Sequence, residues 1–131
     1  MDDITNPRTM FGRIKYRDKE GNQISPEKME ALLGDPNNYR MVARDYYKNL
    51  RISTVWLGVP FWGGTADDGF YPDCYFETMI FDDSKKDNRE WSSLYLERYR
   101  ILQEAQEGHK KIVQDTKLLD DLIEGKGETE Q

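Results

Sequence analysis

The sequence predicts an α+β domain: an antiparallel sheet of about four strands, a carboxy-terminal helix packed on one face and a short helix near the amino terminus. Three observations lead there. Of the 16 Phe, Trp and Tyr residues, 14 fall between Tyr39 and Tyr99. Each can bury about 150 to 250 Å², so this window carries the core of a chain with only 27 Leu, Ile, Val and Phe among 131 residues. Within the window β-branched and aromatic types alternate with polar ones, the period of strands. Beyond Leu102 the period becomes helical. The length argues for one domain, expected over residues 13–124 between a tail at 1–12 and a loose acidic tail at 125–131.

Each element has a local cause. Arg13 to Asp18 alternates, Lys19-Glu20-Gly21-Asn22 supplies a turn, and Gln23-Ile24 returns as a short strand. Ser25-Pro26-Glu27 starts a helix: Ser caps free amides, Pro at the first position loses no hydrogen bond, and Glu suits the positive helix end. Gly34-Asp35-Pro36 ends it. Strands follow at Tyr39–Tyr47, Arg51–Val59, Cys74–Phe81 and Leu94–Tyr99. The first alternates Val42, Arg44 and Tyr46 against Met41, Ala43 and Asp45. The second alternates Ile52, Thr54 and Trp56 against Ser53, Val55 and Leu57. Linkers of this size suggest an antiparallel meander. A single helix from about Leu102 then aligns Ala105, Ile112, Thr116, Leu119 and Ile123 on one stripe, and Gly108 on that face predicts a close approach to the sheet.

Charge narrows the function. Nineteen basic against 25 acidic residues give −6, which opposes a nucleic-acid or anionic-membrane footprint. No segment is apolar enough to cross a bilayer, and no signal-peptide pattern opens the chain. Cys74 is the single cysteine, without an internal disulfide partner, and reads as a buried strand thiol. A cytoplasmic protein is expected.

The run Arg51-Ile52-Ser53-Thr54-Val55-Trp56-Leu57-Gly58, followed by Phe76-Glu77-Thr78-Met79-Ile80-Phe81, resembles a family of small uncharacterised phage and prophage proteins. Their similar core reads as a strand ending in Trp-Leu-Gly, a glycine-rich loop, then a strand with Phe-Glu-Thr-Met. The likeness extends more weakly over roughly residues 13–113. Family members often carry an Asp-His pair after the glycine; Val59-Pro60 stands there in this chain. The resemblance implies a phage-associated accessory role in the host cytoplasm and supplies no reaction.

Candidate chemistry is sparse. His109 is the only histidine, so any Ser-His-Asp or Cys-His arrangement has one possible centre; beside Ala105, Ile112 and Val113 it also reads as a structural residue at the edge of the helix–sheet contact. Glu77 falls on the face opposite Phe76 and Thr78, where a buried carboxylate must find donors; Arg44, Arg51 and Arg98 are candidates. Asp67, Asp68 and Asp73 lack the spacing of a calcium loop. Strand aromatics resemble an RNA-stacking sheet but lack basic surroundings. No cofactor or metal is expected.

The segment Pro60 to Pro72 is the least ordinary. Phe61, Trp62, Phe70 and Tyr71 sit with Asp67 and Asp68 among flexible glycines, a composition closer to a binding loop than to a short connection. The alternative is an aromatic cap over an open end of the core. The expected function is therefore a noncatalytic phage-type accessory protein that binds a host or phage protein, with a basic surface, through this aromatic acidic loop. Two alternatives stand beside it: an inhibitor of a nucleic-acid enzyme, as an anti-defence protein or DNA mimic, and a small enzyme centred on His109 and Glu77.

Overall fold

The computed structural model describes residues 14–65, 69–84 and 93–125, and of residues 64–65 and 69–72 the backbone alone. The tails at 1–12 and 126–131, Asp67 and Asp68, the side chains of Phe70 and Tyr71, and most of the charged segment before the last strand lie outside what is described.

Strands β1 (Tyr16–Arg17) and β2 (Gln23–Ile24) pair antiparallel. Helix α1 (Pro26–Leu33) follows, and the Ser25 hydroxyl accepts from Lys28 N at 3.0 Å. Strands β3 (Met41–Tyr47), β4 (Leu50–Thr65), β5 (Gly69–Asp82) and β6 (Tyr95–Tyr99) form one four-stranded antiparallel meander in that order. Helices α2 (Leu102–Gln114) and α3 (Thr116–Glu124) close the described chain. The α+β class and the carboxy-terminal helical cover are as the sequence predicts.

Three expectations change. The described parts of the segment from Pro60 to Pro72, 60–65 and 69–72, are strand and not loop: β4 continues to Thr65 and β5 begins at Gly69, with Gly63 opposite Tyr71 and Gly64 opposite Phe70. Glycines and prolines had masked a strand that a partner strand stabilises. The carboxy-terminal helix is two helices, because Asp115 stops α2 and caps α3, its carboxylate accepting from Leu118 N at 3.1 Å. Thr116, placed on the apolar stripe by periodicity, is consequently exposed at the new helix start. In β3, a bulge between Met41 and Ala43 opposite Val55 and Thr54 breaks simple alternation. Val42 turns towards the core cluster, while Met41 comes to share a face with Arg44.

The sheet has two unlike faces. Leu50, Ile52, Thr54 and Trp56 of β4 and Phe76, Thr78 and Ile80 of β5 are at most 1% exposed. They pack under the helices in two clusters, one around Trp56, Phe76, Tyr99 and Ala105, the other around Leu50, Ile52, Ile112, Leu119 and Leu122. The β1–β2 hairpin and α1 seal one end. Trp56 Nε1 donates to Arg17 O at 2.8 Å, and the Tyr39 ring meets Trp56 edge-on at 5.0 Å. Gly58, at φ 82°, lets the chain pass there, since a Cβ would stand 2.9 Å from Met29 Cγ. Among the described residues no helix packs on the second face, which carries Arg44, Arg51, Ser53, Val55, Glu77, Met79, Phe81, Leu96 and Arg98.

Candidate functional site

Between Trp56 and Phe61 the β4–β5 register shifts, and past it the hairpin runs on as a two-stranded arm. On this arm Phe61 and Trp62 are 37% and 63% exposed. Arg98 of β6 holds it from below. Its guanidinium lies 4.8 Å from the Phe61 ring centroid, and Nη1 donates to Trp62 O at 2.9 Å. Nε of the same group donates to Glu77 Oε1 at 3.1 Å. One arginine thus neutralises the nearly buried Glu77 and fixes the backbone that presents Trp62.

Of the three arginines expected to face Glu77, only Arg98 pairs with it. Arg51 turns to Asp83 at 3.2 Å and lies over the Phe81 ring at 4.5 Å. Arg44 is exposed. The expectation that strand aromatics lack basic surroundings needs correction for this face: Arg40, Arg44, Arg51 and Arg98 collect here against Glu77 and Asp83, a local excess of cations within an acidic chain.

His109 lies in the helix–sheet contact, 3% exposed, and reaches the edge strand β3, where its partner Asp45 is half exposed. Nε2 is 2.7 Å from Asp45 Oδ2, and Nδ1 is 2.7 Å from Thr54 Oγ1. Thr54 Oγ1 is 2.5 Å from Thr78 Oγ1, which accepts from Tyr99 OH at 3.0 Å. One arrangement gives every proton an acceptor: Tyr99 donates to Thr78, Thr78 to Thr54, Thr54 to Nδ1, and Nε2–H to the Asp45 carboxylate. This row bonds β3, β4, β5 and β6 to α2.

Asp45, His109 and a threonine hydroxyl are the components of a nucleophilic triad. Here Thr54 is fully buried and lines none of the described cavities. Glu77 and His109 project from opposite faces of the sheet, since Thr78 and Thr54 meet His109 while Glu77 and Val55 pair on the other side. The two residues of the enzyme alternative therefore do not share a site.

Sequence reasoning missed Asp45, Thr54, Thr78 and Tyr99 as a network. The available signal was two threonines at the centres of apolar strands, where a buried hydroxyl requires a partner.

Burial pushes up the pKa of several hydroxyls and of the thiol, holding them neutral. Tyr99 is pushed up to about 12 by desolvation, Tyr95 is raised by burial and by Glu97, and Cys74 is raised by burial. Among the described residues no helix is long and apolar enough to cross a membrane. No family model, curated protein or solved structure matches the chain.

Proposed function

We propose that this chain is a noncatalytic binding protein that engages a protein partner through the β4–β5 arm, with Trp62 and Phe61 at the centre of the contact. The observation that carries this reading is Trp62, 63% exposed on an arm whose backbone Arg98 holds at 2.9 Å. A large aromatic presented on fixed backbone forfeits little entropy on binding and suits the middle of an interface. Asp67 and Asp68, between Thr65 and Gly69 in the sequence, would steer a basic partner. The resemblance of Arg51–Gly58 and Phe76–Phe81 to small phage proteins supplies a setting, an accessory factor acting on a host or phage protein in the host cytoplasm.

The test is differential capture. Immobilised wild-type protein should retain a specific host or phage protein that Trp62→Ala, folded and melting at the same temperature, fails to retain. Equal retention by the two would remove the arm from the interface.

A further inference from the structure

On the open face of the sheet, a cavity of about 230 Å³ is lined by Arg40, Arg44, Arg51, Ser53 and Glu77 among others. We infer that this cavity is a binding site for a phosphate-class oxyanion, a phosphate monoester in preference to a singly charged group, gripped by Arg40 and Arg44.

The argument starts from an unmet demand. Arg40 Nε is buried and has no hydrogen-bond partner, the only such side-chain atom among the described residues. Burying part of a guanidinium is costly unless an acceptor or counter-charge meets it. Arg44, on the same side, has no ion-pair partner among the described residues either. The remaining charges at the cavity are already matched, Arg51 by Asp83 at 3.2 Å and Glu77 by Arg98 at 3.1 Å. Two guanidinium charges are left, which a phosphate monoester dianion balances and a single carboxylate does not. The planar fork of arginine fits phosphate oxygens in pairs.

The backbone is arranged to bring these two side chains together. Asn38 takes a left-handed conformation at φ 61°, and four residues on the β3 bulge absorbs Val42. Without the bulge, Met41 and Arg44 would project from opposite faces, since side chains alternate along a strand; with it, Arg40, Met41 and Arg44 all line one cavity. Bulges on edge strands commonly re-aim side chains towards a site. Ser53, buried beside Arg44 in the β3–β4 register, adds a hydroxyl. The floor of Val55, Met79 and Phe81 gives apolar contact for a small organic substituent.

The inference is independent of the aromatic arm. Inorganic phosphate and phenyl phosphate are titrated into the protein at fixed ionic strength with chloride as control, followed by calorimetry and by melting temperature. Saturable binding of phosphate, tighter for phenyl phosphate, is expected, and Arg44→Gln should weaken both by about tenfold or more, the scale of one lost charge-assisted contact. Arg40→Met should abolish phosphate-induced stabilisation while melting no lower than wild type in phosphate-free buffer, because it removes a buried N–H donor that has no acceptor. Trp62→Ala should bind phosphate as wild type does. Binding of phosphate but not tighter binding of its phenyl ester would assign the site to the free ion. No saturable binding by wild type, or equal binding by folded Arg44→Gln, would overturn the proposal.

Discussion

Gly108 of α2 lies directly against the ring of Tyr99 on β6: a Cβ at position 108 would stand 2.7 Å from both Cζ and the hydroxyl oxygen. No real Cβ sits that close, so the ring position and the glycine require one another. Gly108→Ala gains about 1 kcal/mol of helix propensity and displaces a ring that overpacking shifts at a cost of roughly 1 to 3 kcal/mol. The displaced hydroxyl also leaves Thr78, adding about 1 kcal/mol for the lost bond. The substitution should therefore lower the melting temperature, measurable by circular dichroism. A rise would show that the helix moves away from the sheet freely.

His109 of α2 ties the helix to two strands, bonding Asp45 of β3 and Thr54 of β4 at 2.7 Å each. Gln at this position reaches one of the two partners but not both. Leaving Thr54 as a buried hydroxyl short of an acceptor costs about 1 to 3 kcal/mol, so His109→Gln should destabilise by that amount in urea melts. Thr54→Val strands the Thr78 proton and Thr78→Val strands the Tyr99 proton, so the double substitution, which removes the very hydroxyl the first change strands, should cost less than the sum of the two singles. Additive effects would mean that the four hydroxyl and imidazole groups do not act as one chain.

Alkaline pH should loosen the fold through tyrosine. In the folded state Tyr99 ionises only near about 12, and burial also raises Tyr39, Tyr75 and Tyr95, all from an ordinary value of 10.0. The unfolded chain ionises first, so stability is complete below pH 10.0 and falls as pH rises towards 12. Tyr99→Phe should be less stable than wild type at neutral pH, by about 1 kcal/mol for the hydrogen bond. Its stability should fall less steeply with pH above 10.0. Parallel declines of wild type and variant in urea melts across that range would show that Tyr99 is accessible to hydroxide.

Sequence pattern carried the architecture further than the site, and particular residues show why. Ile52, Thr54 and Trp56 alternate against Ser53, Val55 and Leu57, and the inward side of β4 follows that alternation. Ser25-Pro26 and Gly108 act as their local chemistry predicts. What periodicity could not carry was any feature set by a partner strand. The bulge at Val42 depends on the register with Val55 and Thr54, and Pro60 to Thr65 is strand only because Gly69 to Cys74 pairs with it. The Asp45 to Tyr99 row spans four strands and a helix, so none of its members is near another in sequence. Asp115 is the exception that was readable, an aspartate followed by threonine, with its carboxylate free to cap a new helix; the continuing apolar stripe concealed it.

Two tryptophans on one strand should separate folding from binding. Trp56 is fully buried, while Trp62 is 63% exposed. Trp56→Ala should cost roughly 3 to 5 kcal/mol through transfer and cavity terms, a large share of the about 5 to 15 kcal/mol that holds a typical domain folded. Trp62→Ala should change folding by no more than about 0.5 kcal/mol, as exposed sites do, yet weaken partner binding by about 2 kcal/mol or more if it is the anchor. Iodide should quench Trp62 emission in the free protein and lose access to it in the complex. Replacing Asp67 and Asp68 by Asn should slow association at low salt and matter little at high salt, since screening acts over about 10 Å in 0.1 M salt. If Trp62→Ala instead melts the protein and the Asn pair changes nothing, the arm braces the core through Arg98 and Glu77, and the partner surface lies elsewhere on the molecule.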